Sequence, residues 1–180
     1  MAYRLASADI AHALDALASD HDRIARALAQ VGYPEERRRD HSFATLARII
    51  VGQQVSVAAA ASITRRLVDT LGGDLTATSV LSCREEDLRG AGLSRQKVSY
   101  VQSLATAEAS GQLSLTTLPT LSDDEATAAI TAIKGFGEWS AHMYLMFSLG
   151  RPDIWPAGDL AVREGFLSLI HISEPTRQIV

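Results

Sequence analysis

The sequence has little cysteine and no long apolar run near its start, and each shortage excludes a class of protein. A single cysteine, Cys83, excludes an intramolecular disulfide, a four-cysteine iron–sulfur cluster and a zinc site built from cysteines. It also favours a reducing compartment. Charged and histidine side chains interrupt residues 1–20, so neither a signal-peptide core nor a membrane span can be placed there. We therefore expect a soluble cytoplasmic protein with no membrane partner.

Basic charge is also scarce. The chain carries 17 Lys and Arg against 21 Asp and Glu, a net charge of −4 at pH 7. A protein that holds nucleic acid by a broad basic surface needs many cationic side chains to neutralise phosphates, so this mode is disfavoured. Any contact with DNA has to be local, through backbone N–H groups at turns and helix N-termini.

The apolar residues that are present follow helical spacing. At 180 residues and 47% hydrophobic content, the chain is long enough for one compact domain. An apolar stripe predicts one helix from Ile10 to Val31, ending near Gly32. A second stripe runs from Phe43 to Leu71, with Ser42 as the N-cap and Gly72-Gly73 as the stop.

The apolar pattern of the second stripe is interrupted near its middle. Gly52, Gln53 and Gln54 place a glycine and two amides inside an otherwise apolar pattern, so we expect the helix to be interrupted there. The amides then face either solvent or a ligand, or they hydrogen-bond a neighbouring loop. The sequence pattern alone does not separate these two interpretations.

Shorter helices follow. A capping box formed by Ser82 and Glu85 predicts a helix that stops at residues 90–92, and Ser94 begins another that reaches about Ser110. Ser122 with Glu125 is a further capping box, in front of residues 126–133. No run combines alternation with enough β-branched residues for a strand. The predicted fold is therefore all-α, with roughly eight helices.

Between Ile133 and Ser140 one helix must stop and another start. Gly135 and Gly137 allow a tight turn and a close backbone approach, and the second helix offers unpaired N–H groups to an anion. Lys134 adds a positive charge beside them. Judged by spacing alone, an ordinary helix–helix turn is the more frequent explanation of such a pattern.

Four ordered segments give this hairpin a context. They are residues 49–56 (IIVGQQVS), 88–97 (LRGAGLSRQK), 130–141 (ITAIKGFGEWSA) and 156–163 (PAGDLAVR). Together they resemble the HhH-GPD superfamily of DNA glycosylases, which is named for its helix-hairpin-helix, its Gly/Pro-rich loop and its aspartate. Within the superfamily they are most similar to the bacterial DNA-3-methyladenine glycosylase II (AlkA-like) branch. The resemblance extends from about Phe43 to Phe166.

The resemblance implies a multi-helical HhH-GPD domain that acts in base excision repair in the bacterial cytoplasm, at the nucleoid. Its partner would be double-stranded DNA that contains alkylated bases, and the protein would act as a monomer. It would hydrolyse the N-glycosidic bond of a flipped-out alkylated purine of the 3-methyladenine type and leave an abasic site. Trp139 occupies the position of the lysine nucleophile of strand-cutting relatives, which implies a glycosylase without lyase activity.

The resemblance also assigns roles to residues. Asp159 matches the carboxylate that stabilises an oxocarbenium-like sugar, and it can also N-cap a helix that starts at Leu160. Gln53 and Gln54 match the wedge that fills the gap left by the flipped nucleotide, with Gln54 preferred. The implied base pocket consists of Trp139, Trp155 and Tyr144, for which core packing is the alternative. The implied DNA-binding hairpin consists of Lys134, Gly135, Phe136, Gly137 and Glu138.

No cofactor and no side-chain metal site is implied. Backbone carbonyls of the hairpin, such as those of Lys134 and Phe136, would be able to hold a monovalent cation. Residues 167–180 do not match the family. We therefore expect a C-terminally incomplete glycosylase domain over residues 1–166 and a non-native tail over 167–180. The alternatives are an inactive fragment, a non-catalytic helix-hairpin-helix module that only binds DNA, or a helical protein-interaction domain.

Overall fold

The structure, a computed structural model, describes the backbone of residues 3–171 and the side chains of residues 3–167. Over this range the chain forms ten α-helices and one 3₁₀ turn, with no strand, so the all-α prediction is confirmed. The helices are α1 (Ser7–Asp20), α2 (Asp22–Val31), α3 (Phe43–Gly52), α4 (Val57–Thr70), α5 (Ala77–Ser82), α6 (Glu85–Gly90), α7 (Arg95–Ala109), α8 (Asp123–Thr131), α9 (Glu138–Phe147) and α10 (Leu160–His171); the 3₁₀ turn spans Leu118–Thr120.

The first predicted helix is two helices. His21 has extended backbone dihedrals (φ −136°, ψ 102°), so it ends α1 and precedes α2. A single non-helical residue leaves the apolar spacing on either side nearly intact, which is why periodicity predicted one helix. The two helices pack on each other, and neither contains a buried residue. The segment that precedes them is tied to the rest of the chain where Arg4 N donates to Gly150 O at 3.0 Å.

The predicted interruption of the second stripe is confirmed. α3 ends at Gly52 and α4 begins at Val57, each N-capped by a serine: Ser42 Oγ accepts from Thr45 N and Ser56 Oγ accepts from Ala59 N. Between the helices the chain turns through residues 53–56, a segment we call the wedge turn.

The capping box predicted at Ser82 is wrong. Ser82 is the last residue of α5, and α6 starts at Glu85 after Arg84 as N-cap. A capping box needs helical backbone directly after the cap, whereas Cys83 is extended (ψ 140°). The capping box predicted at Ser122 does form, and Ser94 caps α7 as expected; the structure shows a further box at Thr76, before α5.

The core is built around α3, which contacts α4, α7 and α9. Its buried side chains include Leu46, Ile50 and Val51, all with 0% of their surface exposed. Burying one such side chain contributes ~1.5–3 kcal/mol, so the position of α3 is strongly determined. α3 ends at the wedge turn and α9 begins at the hairpin, so this packing fixes both turns relative to each other. None of the helices in residues 3–171 is long and apolar enough to cross a bilayer.

The boundary predicted at residue 166 falls inside α10, which continues to His171. The remainder of the predicted tail, residues 172–180, lies outside the described part of the chain. The division into a domain and a tail stays a prediction.

Candidate active site

The hairpin is a tight turn between α8 and α9. Gly135 has φ +99°, and a Cβ placed on it would lie 2.3 Å from Cγ of Tyr100, so this position requires glycine. Gly137 is extended and has open space around it. Phe136 is 7% exposed and its N–H donates to Ile133 O at 3.1 Å, so its side chain anchors the turn in the core.

The N-terminus of α9 is the part of the hairpin that can receive an anion. The first helical bond at this end runs from Ala141 N to Gly137 O, so the N–H groups before Ala141 precede the intrahelical ladder. Lys134 is exposed, and its Nζ donates to Ser99 Oγ on α7 at 2.9 Å. Glu138 is directed along α9 toward His142, with 3.8 Å between its Oε1 and His142 Nε2. Its contribution to an anion site is therefore its backbone N–H.

The two glutamines of the wedge turn have different surroundings. Gln53 is half-buried, and its Nε2 donates to Gly135 O of the hairpin at 2.9 Å. Gln54 is exposed, and with φ +55° it is the only non-glycine residue of the described chain in the left-handed region. The structure thus places Gln53 on a neighbouring loop and Gln54 toward solvent. Gln53 therefore hydrogen-bonds a neighbouring loop and Gln54 faces solvent, while their role as a wedge stays a prediction.

Asp159 is held in a fixed orientation by two donors. The loop before α10 turns tightly, with Asp159 N donating to Pro156 O at 2.8 Å. One carboxylate oxygen, Oδ1, accepts from Val162 N at 3.1 Å, so Asp159 is the N-cap of α10, as anticipated. The other, Oδ2, accepts from the indole Nε1 of Trp139 at 2.7 Å.

These contacts stabilise the ionised form of Asp159. The hydrogen bond from Trp139, followed by the backbone bond from Val162, holds the pKa of the Asp159 carboxyl below its ordinary value. The group is therefore an ionised carboxylate at neutral pH. Its connection to Trp139 joins it to the first turn of α9, immediately after the hairpin.

Trp139 also lines a cavity of about 830 Å³ between α3, α4 and α9. On α9 the cavity wall consists of Trp139, Met143 and Phe147, which recur every four residues on one face of the helix. Sequence reasoning assigned Met143 no part in the pocket, although its spacing from Trp139 is the signal that would have found it. The rim carries four arginines, Arg37, Arg39, Arg48 and Arg65, and one acid, Asp69.

Trp155 does not join Trp139. It lines a separate cavity of about 400 Å³ with His142 and residues of α8, and it stacks edge-to-face on Phe166 at 5.6 Å between ring centroids. The structure therefore does not bring the two tryptophans into one pocket.

Tyr144 is not at either cavity. The side chain is fully buried, and its hydroxyl lies 2.8 Å from Nδ1 of His41, whose Nε2 lies 2.7 Å from Leu115 O. A carbonyl only accepts, so Nε2 of His41 donates to Leu115 O, and the other ring nitrogen forms the hydrogen bond with the Tyr144 hydroxyl. Burial raises the pKa of Tyr144, which stays protonated. The predicted role in base binding fails because five residues on a helix turn Tyr144 by about 140° from Trp139.

An all-helical domain that presents a helix hairpin, a fixed carboxylate and an exposed turn has the organisation of a helix-hairpin-helix nucleic-acid-binding domain. A family model described as "HhH-GPD superfamily base excision DNA repair protein" matches residues 47–180. The chain therefore belongs to the HhH-GPD superfamily of base excision DNA repair proteins. The matched range includes all of residues 167–180, the segment predicted to lie outside the domain.

Relatives with assigned names are similar over part of their length. DNA-3-methyladenine glycosylase 1 of Schizosaccharomyces pombe is 33% identical over 144 residues, which cover 75% of this chain and 61% of that protein. The putative DNA-3-methyladenine glycosylase YfjP of Bacillus subtilis is 28% identical over 123 residues, covering 64% of this chain and 43% of that protein. The chain thus spans between two fifths and two thirds of the length of these two relatives.

Solved structures agree with the fold. The crystal structure of a DNA-3-methyladenine glycosidase from Bacillus halodurans has a TM-score of 0.77 and 32% identity, covering 84% of this chain and 70% of that one. A 3-methyladenine DNA glycosylase of S. pombe in complex with abasic DNA has a TM-score of 0.74 and 30% identity, covering 84% and 77%.

Proposed function

We propose that this chain is a DNA glycosylase that hydrolyses the N-glycosidic bond of alkylated purines in double-stranded DNA and leaves an abasic site. The observation that carries the proposal is the carboxylate of Asp159, kept ionised and oriented by Trp139 and α10 next to the hairpin. The names of the similar proteins, which are 3-methyladenine glycosylases, support the same substrate class.

The chemistry requires little besides this carboxylate. As the bond between the sugar C1′ and the base nitrogen breaks, its electron pair leaves with the base and the sugar becomes cation-like. A fixed negative charge beside C1′ stabilises that state, and a water molecule then supplies the oxygen that bonds C1′ and loses a proton. An alkylated purine that is already cationic leaves as a neutral molecule, so no strong acid is needed on the base.

The proposed enzyme does not cut the strand. A lyase needs an amine that forms a Schiff base with C1′, and the indole of Trp139 cannot do this. Lys134 is directed elsewhere, because its Nζ bonds Ser99 on α7 whereas Asp159 bonds Trp139 on α9.

The cavity beside Trp139 is the proposed base pocket. Trp139 is 42% exposed, so its ring face is available for stacking and for cation–π contact with a positively charged purine. Met143 lies one helical turn further along the same wall. Trp155 and Tyr144 are not included in this pocket, because the first lines a separate cavity and the second is buried in the core.

Double-stranded DNA would be held on the surface that contains the hairpin and the wedge turn. The N–H groups at the start of α9 and Lys134 would bind phosphate, and Gln54 would enter the space vacated by the flipped base. Within the described side chains, the guanidinium groups of Arg48 and Arg65 have no hydrogen-bond or ion-pair partner, so they are available to nearby phosphates. These local cations reconcile DNA binding with a net charge of −4.

A monovalent cation fits the hairpin by backbone oxygen alone. Among the described carbonyls of the turn, those of Ile133, Gly135 and Gly137 already accept hydrogen bonds, whereas those of Lys134 and Phe136 have none. The oxygens of Lys134 and Phe136 would hold such an ion, whose charge would favour a phosphate in front of the hairpin.

The proposal is tested with duplex DNA that contains 7-methylguanine, scoring released base separately from strand breaks. We expect free base, and breaks only after alkali. The Asp159→Asn variant should fold and bind the duplex but release no base, because it keeps the size of the side chain and loses its charge. Near-normal base release by this variant would remove Asp159 from the mechanism, and breaks without alkali would show a lyase. Binding without release by the unaltered protein would leave a DNA-binding module.

A further inference from the structure

α7 contacts both turns that face the proposed DNA. On one side, Lys97 Nζ donates to Val51 O, in the last turn of α3, at 2.7 Å. On the other side, the ring of Tyr100 packs against Gly135, and Ser99 Oγ accepts from Lys134 Nζ. A single helix thus supports the end of α3 and the hairpin together.

The Lys97 contact stabilises the point at which the wedge turn begins. The last carbonyls of a helix have no intrahelical donor and lie at the negative end of the helix dipole, so an ammonium there is favourable. Val51 is fully buried, which leaves its carbonyl dependent on a protein donor. Three residues later Gln54 projects from the turn with a left-handed backbone.

Lys97 is unusual for a surface lysine. It is half-buried, it has no carboxylate partner within the described chain, and burial lowers its pKa. Holding an unpaired ammonium out of water costs free energy. The ammonium group instead stabilises the carbonyl end of α3 through its bond to Val51 O.

Three contacts connect α3, α7 and the hairpin to one another. Lys97 holds α3, Tyr100 supports Gly135, and Gln53 connects α3 back to Gly135 by its hydrogen bond to the carbonyl. A polar cavity of about 330 Å³ lies among these groups. Moving the wedge turn away from the hairpin therefore requires breaking the Gln53 bond and, in addition, either the Lys97 bond or the contacts between α7 and the hairpin.

We propose that Lys97 is a positioning residue that fixes the Gln54-bearing turn relative to the hairpin, so that base extrusion, and not bond hydrolysis, depends on it. The inference rests on the proposed glycosylase function. Without Lys97 the wedge would still be present, but its position would vary and the extruded base would return more often to the stack.

The test compares the same lesion, 7-methylguanine, in a fully paired duplex and in a single-nucleotide bulge, under single-turnover conditions. Lys97→Met keeps the length of the side chain and removes the donor. We expect excision from the paired duplex to fall between about tenfold and a hundredfold, since a hydrogen bond made by a charged group is removed. In the bulge, where extrusion is already favoured, the rate should return to within about threefold of the unaltered protein.

Two further variants serve as controls. Lys97→Arg retains a donor and should restore most of the activity on paired DNA. Arg95→Met removes one exposed positive charge from the first turn of the same helix, and it should leave the ratio of the two rates unchanged. A 2-aminopurine placed 3′ of the lesion should brighten on binding less with Lys97→Met than with the unaltered protein or with Arg95→Met.

Equal losses on paired and bulged DNA, or a ratio for Lys97→Met that matches Arg95→Met, would overturn the inference. If Lys97→Met does not fold, as judged by its thermal melting, Lys97→Gln takes its place. The ratio of its excision rates on paired and bulged DNA then tests the inference. An unaltered protein that releases no base from either substrate would instead defeat the proposed function, so the two failures are distinguishable.

Discussion

Replacing Trp139 by phenylalanine separates two roles that the structure gives to one side chain. The aromatic ring that lines the cavity is retained, while the Nε1 donor to Asp159 Oδ2 is removed. A hydrogen bond to a charged group contributes ~1.5–3 kcal/mol, and the partial exposure of both groups argues for the lower end of that range. About 1.4 kcal/mol corresponds to a tenfold change, so single-turnover excision at pH 7 should fall by about tenfold.

The pH dependence gives the sharper readout. Because the Trp139 bond is the largest cause of the lowered Asp159 pKa, removing it raises that pKa toward the ordinary value. The acid limb of the excision profile should move to higher pH, with the largest loss of activity at acid pH.

The lowered pKa of Asp159 also makes the free energy of unfolding depend on pH. A lowered carboxyl pKa contributes stability that is present above the unfolded pKa of about 3.9 and is lost as the pH falls through the folded value. The difference in free energy of unfolding between the unaltered protein and Trp139→Phe should therefore shrink as the pH is lowered below about 4.

The matched control for this experiment is Trp155→Phe. It makes the same chemical change in a different cavity and should leave the acid limb in place. An unchanged rate and an unchanged acid limb in Trp139→Phe would refute the role given to the Trp139–Asp159 bond.

Three further predictions concern the scaffold and the DNA surface. Gly135→Ala should lower the free energy of unfolding by about 2 kcal/mol or more, because it adds a Cβ against Tyr100 at positive φ, whereas Gly137→Ala should fold normally; equal denaturant midpoints would contradict this. Tyr144→Phe should cost about 1 kcal/mol in urea unfolding by removing the hydrogen bond between the buried hydroxyl and His41, and a selective loss of base affinity would return Tyr144 to the pocket. Arg48→Gln with Arg65→Gln should reduce the slope of log binding constant against log salt by ~0.9 for each phosphate that is no longer neutralised, while Arg84→Gln, which removes only an ion pair with Asp87, should leave it unchanged.

Much of the scaffold follows from local sequence signals. Helices α3, α7 and α8 begin where Ser42, Ser94 and Ser122 predict, because an N-cap depends on groups within three residues. The break at Gly52-Gln53-Gln54 was visible because it interrupts an apolar period. The break at His21 was not, since it leaves that period in place, and Ser82 fitted a capping pattern whose backbone condition is invisible in sequence.

The site was predictable to the extent that it is made of contiguous motifs. Helical phase already separates Trp139 from Tyr144, and it groups Trp139 with Met143, so this part of the pocket was accessible from spacing alone. The contacts of Gln53 and Lys97 join residues that are 82 and 46 positions apart from their partners, and they depend on how α3 and α7 pack. The separation of Trp155 from Trp139 is likewise a property of tertiary structure.

The α1–α2 pair has no buried side chain, in contrast to α3. The free energy of local unfolding should therefore be lower in the first two helices than in the core. Amide hydrogens in the first two helices should exchange with solvent through local opening, long before those of α3, whose exchange requires unfolding of the whole core. The N-terminal helices therefore behave as a separate cooperative unit. Heating or denaturant would release them first and leave the wedge turn, the hairpin and Asp159 on an intact framework.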